Sequence, residues 1–405
     1  MTKNYLSTRK NIQKKYLNKH NIKKLSKNFN KIFDEVITDI NTSGRTLNIL
    51  NSNFKLNIDT KDLKKFKKFK DIALIGMGGS ILGVKAINNF LEIKIKKKIH
   101  FFDNLDSKKI LRFKKEKNLK EVLFLIISKS GDTIETLANL FTLDIIKNKS
   151  RNIIFISEKK NNTLLRLSKK FNLFYIEHRN YVGGRFSVLS EVGLIPAYLM
   201  GINIYKLRKN IKAHLVGKKK LLLKNNSIEL ANLLNLKKLN NLIFLNYSSE
   251  LEHFLFWCQQ LVAESLGKKN RGFLPVISTV PKDHHSLLQL YLDGPKDKLF
   301  YIFSIDEKMK EKINIEKIHN ESLFLNNKTL NTVKTAQKNA LIKTLKKHNI
   351  PFKEFKIKKI DETVLGELFS YFILETIIIG KLNKINPYDQ PAVEEVKVIT
   401  KKLLS

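Results

Sequence analysis

The sequence predicts an α/β protein of two doubly wound domains with a cleft between them, and three observations carry that prediction. Short apolar runs alternate with helical segments along most of the chain. One run, LFLII at 123–127, is continuously apolar rather than alternating, as in a strand buried on both faces of a parallel sheet. A lysine-rich helical stretch near 206–238 separates one set of runs from another, and 405 residues leave room for about two or three domains.

The chain begins with a basic, acid-poor stretch, residues 1–25, that lacks the apolar core of a secretory signal and carries lysine where organellar transit peptides favour arginine. It predicts a surface helix and a cytoplasmic protein. Ile22, Leu25, Phe29, Ile32, Phe33, Val36 and Ile37 then recur at helical spacing, giving an amphipathic helix ahead of the first domain. Residues 71–80, DIALIGMGGS, run from a strand into a glycine-rich turn. Gly76, Gly78 and Gly83 only partly imitate the dinucleotide fingerprint, because Ile81 stands in place of its third glycine. Gly78 and Gly79 would let backbone N–H groups approach a ligand closely. Further strands are expected at 99–102, 153–156 and 173–176, and in the second domain at 241–246, 274–278, 299–303 and 355–357. Loops around Ser80 and Ser128, both at strand carboxyl ends, then open onto one crevice.

Composition narrows the function classes. The net charge of +39 comes from scattered as well as clustered lysines, with no zinc-finger, RNA-recognition or basic-zipper signature beside them. Long-range steering of anions is expected, and specific nucleic-acid binding is not. The single cysteine, Cys258, excludes an intrachain disulfide and fits a reducing compartment. His284 and His285 lack a chelating spacing, so no metal site is expected. The apolar run at 368–380 is interrupted by Glu375 and is too short to span a bilayer, which predicts a buried helix and no membrane segment.

The most pointed chemistry lies in SKSGDTIET at 128–136. Ser128, Lys129, Ser130 and Thr133 set hydroxyls and an ammonium beside Gly131, where the unpaired N–H groups of the next helix begin, so the loop is shaped for a phosphate. The plain alternative is a strand-to-helix turn in which Asp132 caps the helix and Glu135 completes a capping box. Arg185, presented by a glycine pair, is either a solvated guanidinium or one held where negative charge develops. Gln260 and Glu264 stand four apart on one face of an otherwise apolar helix that stops near Gly267. A carboxylate there is either paired structurally or used in proton transfer. His285 and Lys397 add an imidazole and a lysine.

Six segments in this order, IGMGGSILG (75–83), SKSGDTIET (128–136), GGRFSVLSEVG (183–193), QLVAESLGK (260–268), HSLLQL (285–290) and NPYDQPAVEEVK (386–397), resemble the glucose-6-phosphate isomerase (phosphoglucose isomerase) family in its short bacterial form. The resemblance implies two sugar-isomerase (SIS) type domains, each three-layered, at 51–215 and 216–380, a helical segment at 1–50, and a carboxy-terminal arm at 381–405 carrying Lys397. It implies reversible conversion of glucose 6-phosphate to fructose 6-phosphate through an enediol(ate), in glycolysis and gluconeogenesis, with no cofactor or metal. The alternatives are a bifunctional phosphoglucose/phosphomannose isomerase and a non-catalytic sugar-phosphate-binding protein of the same fold.

Residue by residue, Glu264 matches the family's base and Arg185 the group that stabilises the enediolate. His285 and Lys397 match the ring-opening pair. Gly79, Ser80, Ser128, Lys129, Ser130 and Thr133 match the phosphate and sugar cradle, while Gln260 and Gln390 border the sugar. The family's homodimer implies that His285 acts in trans. Asp132 departs from the longer family members, because a carboxylate in that loop repels the ligand unless it is turned into the helix cap.

Overall fold

The computed structural model describes residues 6–306, 310–315 and 323–405. At the amino terminus the expected surface helix is instead a strand, β1 (Leu6–Asn11), in which Leu6 is the only buried residue. So polar a stretch has no strand signature of its own. It is held by antiparallel pairing with residues 352–357. Helix α1 (Lys19–Asn41) follows, capped by the Asn18 side chain accepting from the Asn21 N–H. It buries Leu25, Phe29, Phe33, Val36 and Ile40 along one stripe.

The first sheet alternates strictly with helices: β2 (Asp71–Gly76), α2 (Leu82–Phe90), β3 (Lys98–Phe102), α3 (Ser107–Glu116), β4 (Val122–Ile127), α4 (Ile134–Leu143), β5 (Ile153–Ser157), α5 (Thr163–Lys170) and β6 (Phe174–Glu177). Its strands are parallel in the order β3-β2-β4-β5-β6. Every residue of β4 is buried, as its unbroken apolarity requires. The chain runs outward from β2 to β3 and then crosses back to β4, so the topological switch lies between β2 and β4. Gly76 pairs with Ile127 there, and the loops that follow these two residues leave the sheet side by side.

Helices α6 (Glu191–Leu199), α7 (Ile204–Arg208) and α8 (Gly217–Leu236) lead to the second sheet. It comprises β7 (Asn241–Asn246), α9 (Glu252–Leu266), β8 (Leu274–Thr279), α10 (Leu288–Asp293), β9 (Lys298–Ile305), α11 (Leu330–Lys347) and β10 (Phe352–Ile357). Its order is β1-β10-β9-β7-β8, parallel except for β1 at one edge. Helix α12 (Glu362–Leu382) is buried almost end to end against α1, α7, α8 and α9. Among the described residues it is the one helix long and apolar enough to cross a membrane, yet 94% of its apolar window is buried inside the protein. It is a core helix, as the run at 368–380 predicts. The last helix, α13 (Glu394–Leu404), buries none of its residues.

Helix α9 packs on α2 and so joins the two domains. It starts after the carboxyl end of β7 and finishes close to where β8 begins, with Gln259 donating to the Pro275 carbonyl at 2.8 Å. That direction decides which residues of the second domain reach the first.

Candidate active site

The loop after β4 gathers three hydroxyls. Ser128 Oγ lies 2.9 Å from Thr133 Oγ1 and 3.4 Å from Ser130 Oγ, and Ser130 and Thr133 are 3.3 Å apart. The Gly131 and Asp132 N–H groups donate to Ser128 Oγ and Ser130 Oγ, which fixes the loop. Thr133 is the N-cap of α4, but its side chain accepts none of the helix N–H groups, and Thr136 Oγ1 in the first turn is buried without a partner. Donors and hydroxyls therefore converge at a helix start, an arrangement that favours a tetrahedral anion. The expected Asp132 cap on this helix does not form. Its carboxylate turns away and accepts from the Thr163 N–H of α5 at 2.9 Å, which removes its charge from the cradle.

Between this cradle and the second domain stands the turn at 78–80. A Cβ on Gly79 would lie 2.1 Å from the Gly184 carbonyl carbon, and one on Gly78 would lie 2.9 Å from Gln260 Nε2. Bare backbone is needed at these glycines so that the turn can press against the arginine loop and α9, rather than only to admit a ligand. Ser187 reinforces the contact by donating from its hydroxyl to the Gly79 carbonyl at 3.2 Å. Ser80, half-buried beside them, closes the turn by donating from its N–H to the Met77 carbonyl at 3.0 Å.

Arg185 is only 2% exposed, and all five of its N–H donors are in use. Nε donates to Ser265 Oγ at 2.8 Å, Nη1 to Glu264 Oε2 at 3.1 Å and Gln390 Oε1 at 2.6 Å, and Nη2 to the carbonyls of Pro387 and Asp389 at 2.6 and 3.0 Å. Burial pulls its pKa down while the Glu264 carboxylate opposes that. Glu264 takes a second donor, Gln260 Nε2, on its other oxygen at 2.9 Å and keeps 28% of its side chain exposed. The carboxylate is thus oriented by two donors and open on one side. Lys268 secures the segment that Arg185 grips, donating to the Asn386 and Asp389 carbonyls and to Asp389 Oδ1 at 2.5, 2.5 and 2.6 Å. Its ammonium also holds the Asp389 carboxyl below the usual range.

Of the remaining expected site residues, Lys129 lies in the loop after β4 but turns its ammonium outward, and His285 and Lys397 lie elsewhere. Lys129 sends its ammonium to the Asn180 carbonyl at 2.7 Å and toward Glu158 at 3.5 Å, and burial lowers its pKa. His285 is exposed on the turn Lys282–His285, which follows the carboxyl end of β8. Glu264 is near the opposite end of that strand, whose six residues span roughly 20 Å. Lys397 lies on α13 and pairs with Glu394 at 2.7 Å. One chain therefore brings together Arg185, Glu264, Gln260 and Gln390 and sets them beside the cradle, but leaves His285 and Lys397 outside. Nothing in the sequence singles out Lys268, whereas a serine next to the carboxylate on an apolar helix is a usable signal for Ser265.

Two doubly wound parallel sheets, one with hydroxyls gathered at the helix start after β4 and the other followed by a helix that carries a part-exposed carboxylate back to the first, define a sugar-isomerase (SIS) type α/β protein. Residues 35–279 match the family model described as phosphoglucose isomerase. The chain is 34% identical to a probable glucose-6-phosphate isomerase of Methanococcus maripaludis, with 89% of this chain and 84% of that one covered. It is 35% identical to the glucose-6-phosphate isomerase of Campylobacter jejuni, covering 83% and 86%. Among solved structures, one described as a hypothetical protein from Thermus thermophilus superposes with a TM-score of 0.81 at 26% identity, covering 98% and 100%. The chain belongs to the phosphoglucose isomerase family.

Proposed function

We propose that this chain interconverts D-glucose 6-phosphate and D-fructose 6-phosphate by moving a proton between C1 and C2 of the open-chain sugar, with Glu264 as the base. The observation that carries this reading is the Glu264 carboxylate itself: part-exposed, held by Gln260 and Arg185, and linked to the Ser128–Ser130–Thr133 hydroxyls through the turn at 78–80. A phosphate fixed on those hydroxyls takes no part in bond making, but its binding energy positions the reacting carbons against the base. The carboxylate accepts the proton from one carbon and returns it to the other, and the enediolate formed between is stabilised by Arg185. Because every Arg185 donor is engaged in the free chain, contact with the enediolate oxygen requires the guanidinium to share or release Glu264 or Gln390.

Ring opening falls to His285 and Lys397. His285 comes from a second copy in a homodimer, a reading supported by its place at the far end of β8 from Glu264. Lys397 reaches the cleft once α13 finds a partner surface. A cytoplasmic setting belongs to the same proposal and accords with a single, buried, unoxidised thiol at Cys258.

A coupled assay of fructose 6-phosphate turnover tests the assignment. Glu264→Gln and His285→Ala are each expected to lose about 10²–10⁴-fold in kcat. Mixing the two variants restores about a quarter of wild-type activity by random pairing, since one site in each mixed dimer is complete. Retained activity in Glu264→Gln sinks the base assignment, and no recovery on mixing sinks the assignment in trans.

A further inference from the structure

Away from the cleft, the seam between β1 and β10 holds charges that isomerisation does not use. The register places Lys10 directly opposite Lys353, and like charges facing one another across a strand pair repel. Both ammonium groups look to Glu229 of α8, which Lys10 engages closely while Lys353 stays 3.9 Å away. Lys353 has a side chain only 2% exposed, and its remaining polar contact is a 3.4 Å approach to the Asn226 carbonyl. A buried ammonium carries three N–H donors, and these contacts lie at or past the limit of a hydrogen bond. Glu375 of α12 adds negative charge nearby, but its carboxylate accepts from the Tyr371 hydroxyl at 2.7 Å. Glu354 is shared between Arg9 and Lys338.

Against Lys353 opens a cavity of about 150 Å³ whose wall includes Thr8, Arg9, Lys10, Asn225 and Asn226, and no carboxylate. It has room for about five waters, hence for a tetrahedral oxyanion. Thr8 and Lys10, two apart on β1, share the face on which Lys353 lies. We propose that this cavity is a second anion site, separate from the isomerase cleft, that takes inorganic phosphate or a compact phosphate monoester, with Lys353 as its buried ligand and Thr8 and Lys10 closing over it from β1. The hydrogen-bond acceptors that the Lys353 ammonium lacks are then supplied by the anion, and its charge adds to that of Glu229 in offsetting the Lys10–Lys353 repulsion. Because β1 provides two of the three ligands, occupancy holds the amino-terminal strand in the sheet.

The site does not rest on the isomerase reading, and its test is independent of turnover. Calorimetric titration of the full chain with inorganic phosphate is expected to show a class of site that Lys353→Met lacks. Amide exchange across residues 6–11 is expected to slow severalfold with phosphate in the wild type and not in Lys353→Met. Should that variant fail to fold, Lys10→Met with Thr8→Val carries the same expectation. Running glycerol 3-phosphate beside phosphate tells which source the site prefers by the concentration needed for protection. Identical phosphate binding by the wild type and Lys353→Met, protection that survives Lys353→Met, or equal protection by chloride at matched ionic strength overturns the proposal.

Discussion

The switch point of the first sheet and the carboxyl end of the second make opposite provisions. Around Ser128, Gly79 and Arg185 the chain completes its own contacts: the hydroxyls meet, the glycines touch, and the guanidinium has no donor left over. The turn before His285 is tied by Asp283 and His284, but the His285 side chain and the apolar face of α13 stay in the open. His285 is exposed, and Val396, Ile399 and Leu403, spaced along one face of α13, are 67%, 48% and 82% exposed. The residues proposed to bind the sugar phosphate are fixed by contacts inside one chain, while His285 and α13, to which the proposal gives ring opening, remain exposed.

The sharpest way to break this contrast is at Arg185. Arg185→Lys keeps the charge but replaces five fixed donors with three on a flexible stem, so the Pro387 and Asp389 carbonyls and Ser265 cannot all stay paired. A kcat loss of about 10²–10³-fold is expected. A destabilisation of about 2–5 kcal/mol accompanies it, because buried acceptors lose partners. Turnover and thermal melting measured together check this. A fall in kcat with no change in melting would mean that the arm at 386–390 is not held by the guanidinium.

The other half of the contrast is tested on α13. Ile399→Asp with Leu403→Asp leaves the packing within the chain untouched, since no residue of this helix is buried in it. If these side chains seal a contact between copies, each contributes about 1.5–3 kcal/mol, so the pair weakens association by about 100-fold or more. Sedimentation should show a shift to monomer, with activity falling as the concentration is lowered. An unchanged dimer would place the interface elsewhere and leave the exposed face of α13 without a role.

These two regions also mark what the sequence made legible. Nine strands show as local apolar runs, and the residues of the cradle and the Arg185–Glu264 pair stand within short motifs. Strand β1 was hidden because LSTRKN has the polar, basic character of an edge strand and gains its place from pairing with β10, beside Glu354 and Glu229. Asp132 was visible as a capping residue, but which helix it caps depends on where α5 begins in space. The saturation of Arg185 joins positions 185, 264, 265, 387, 389 and 390, contacts that no local pattern encodes. Position in the fold, rather than residue type, decided these cases.

The preorganised half has a weakness at low pH. His178, 1% exposed, precedes the arginine loop and sits 3.1 Å from the Val182 carbonyl, to which Nε2 donates. Burial, with the Lys129 charge adding to it, pushes its pKa down from 6.5 to about 4. Between those values the unfolded chain binds a proton that the folded chain does not, so this contribution to stability is complete above pH 6.5 and is lost as the pH falls toward 4. At pH 5 the loss amounts to about 2 kcal/mol. His178→Gln keeps an N–H for Val182 and cannot titrate, so it should flatten the acid limb of melting temperature against pH while barely moving it at pH 8. The Lys282–His285 turn gives a control within the same chain: His284, only partly buried and 3.0 Å from the Tyr247 hydroxyl, has a pKa lowered chiefly by burial with His285 adding to it. His284→Gln should therefore change the acid limb less than His178→Gln. An equal effect of the two would show that the first domain's loop is no more tightly packed than the open end of the second.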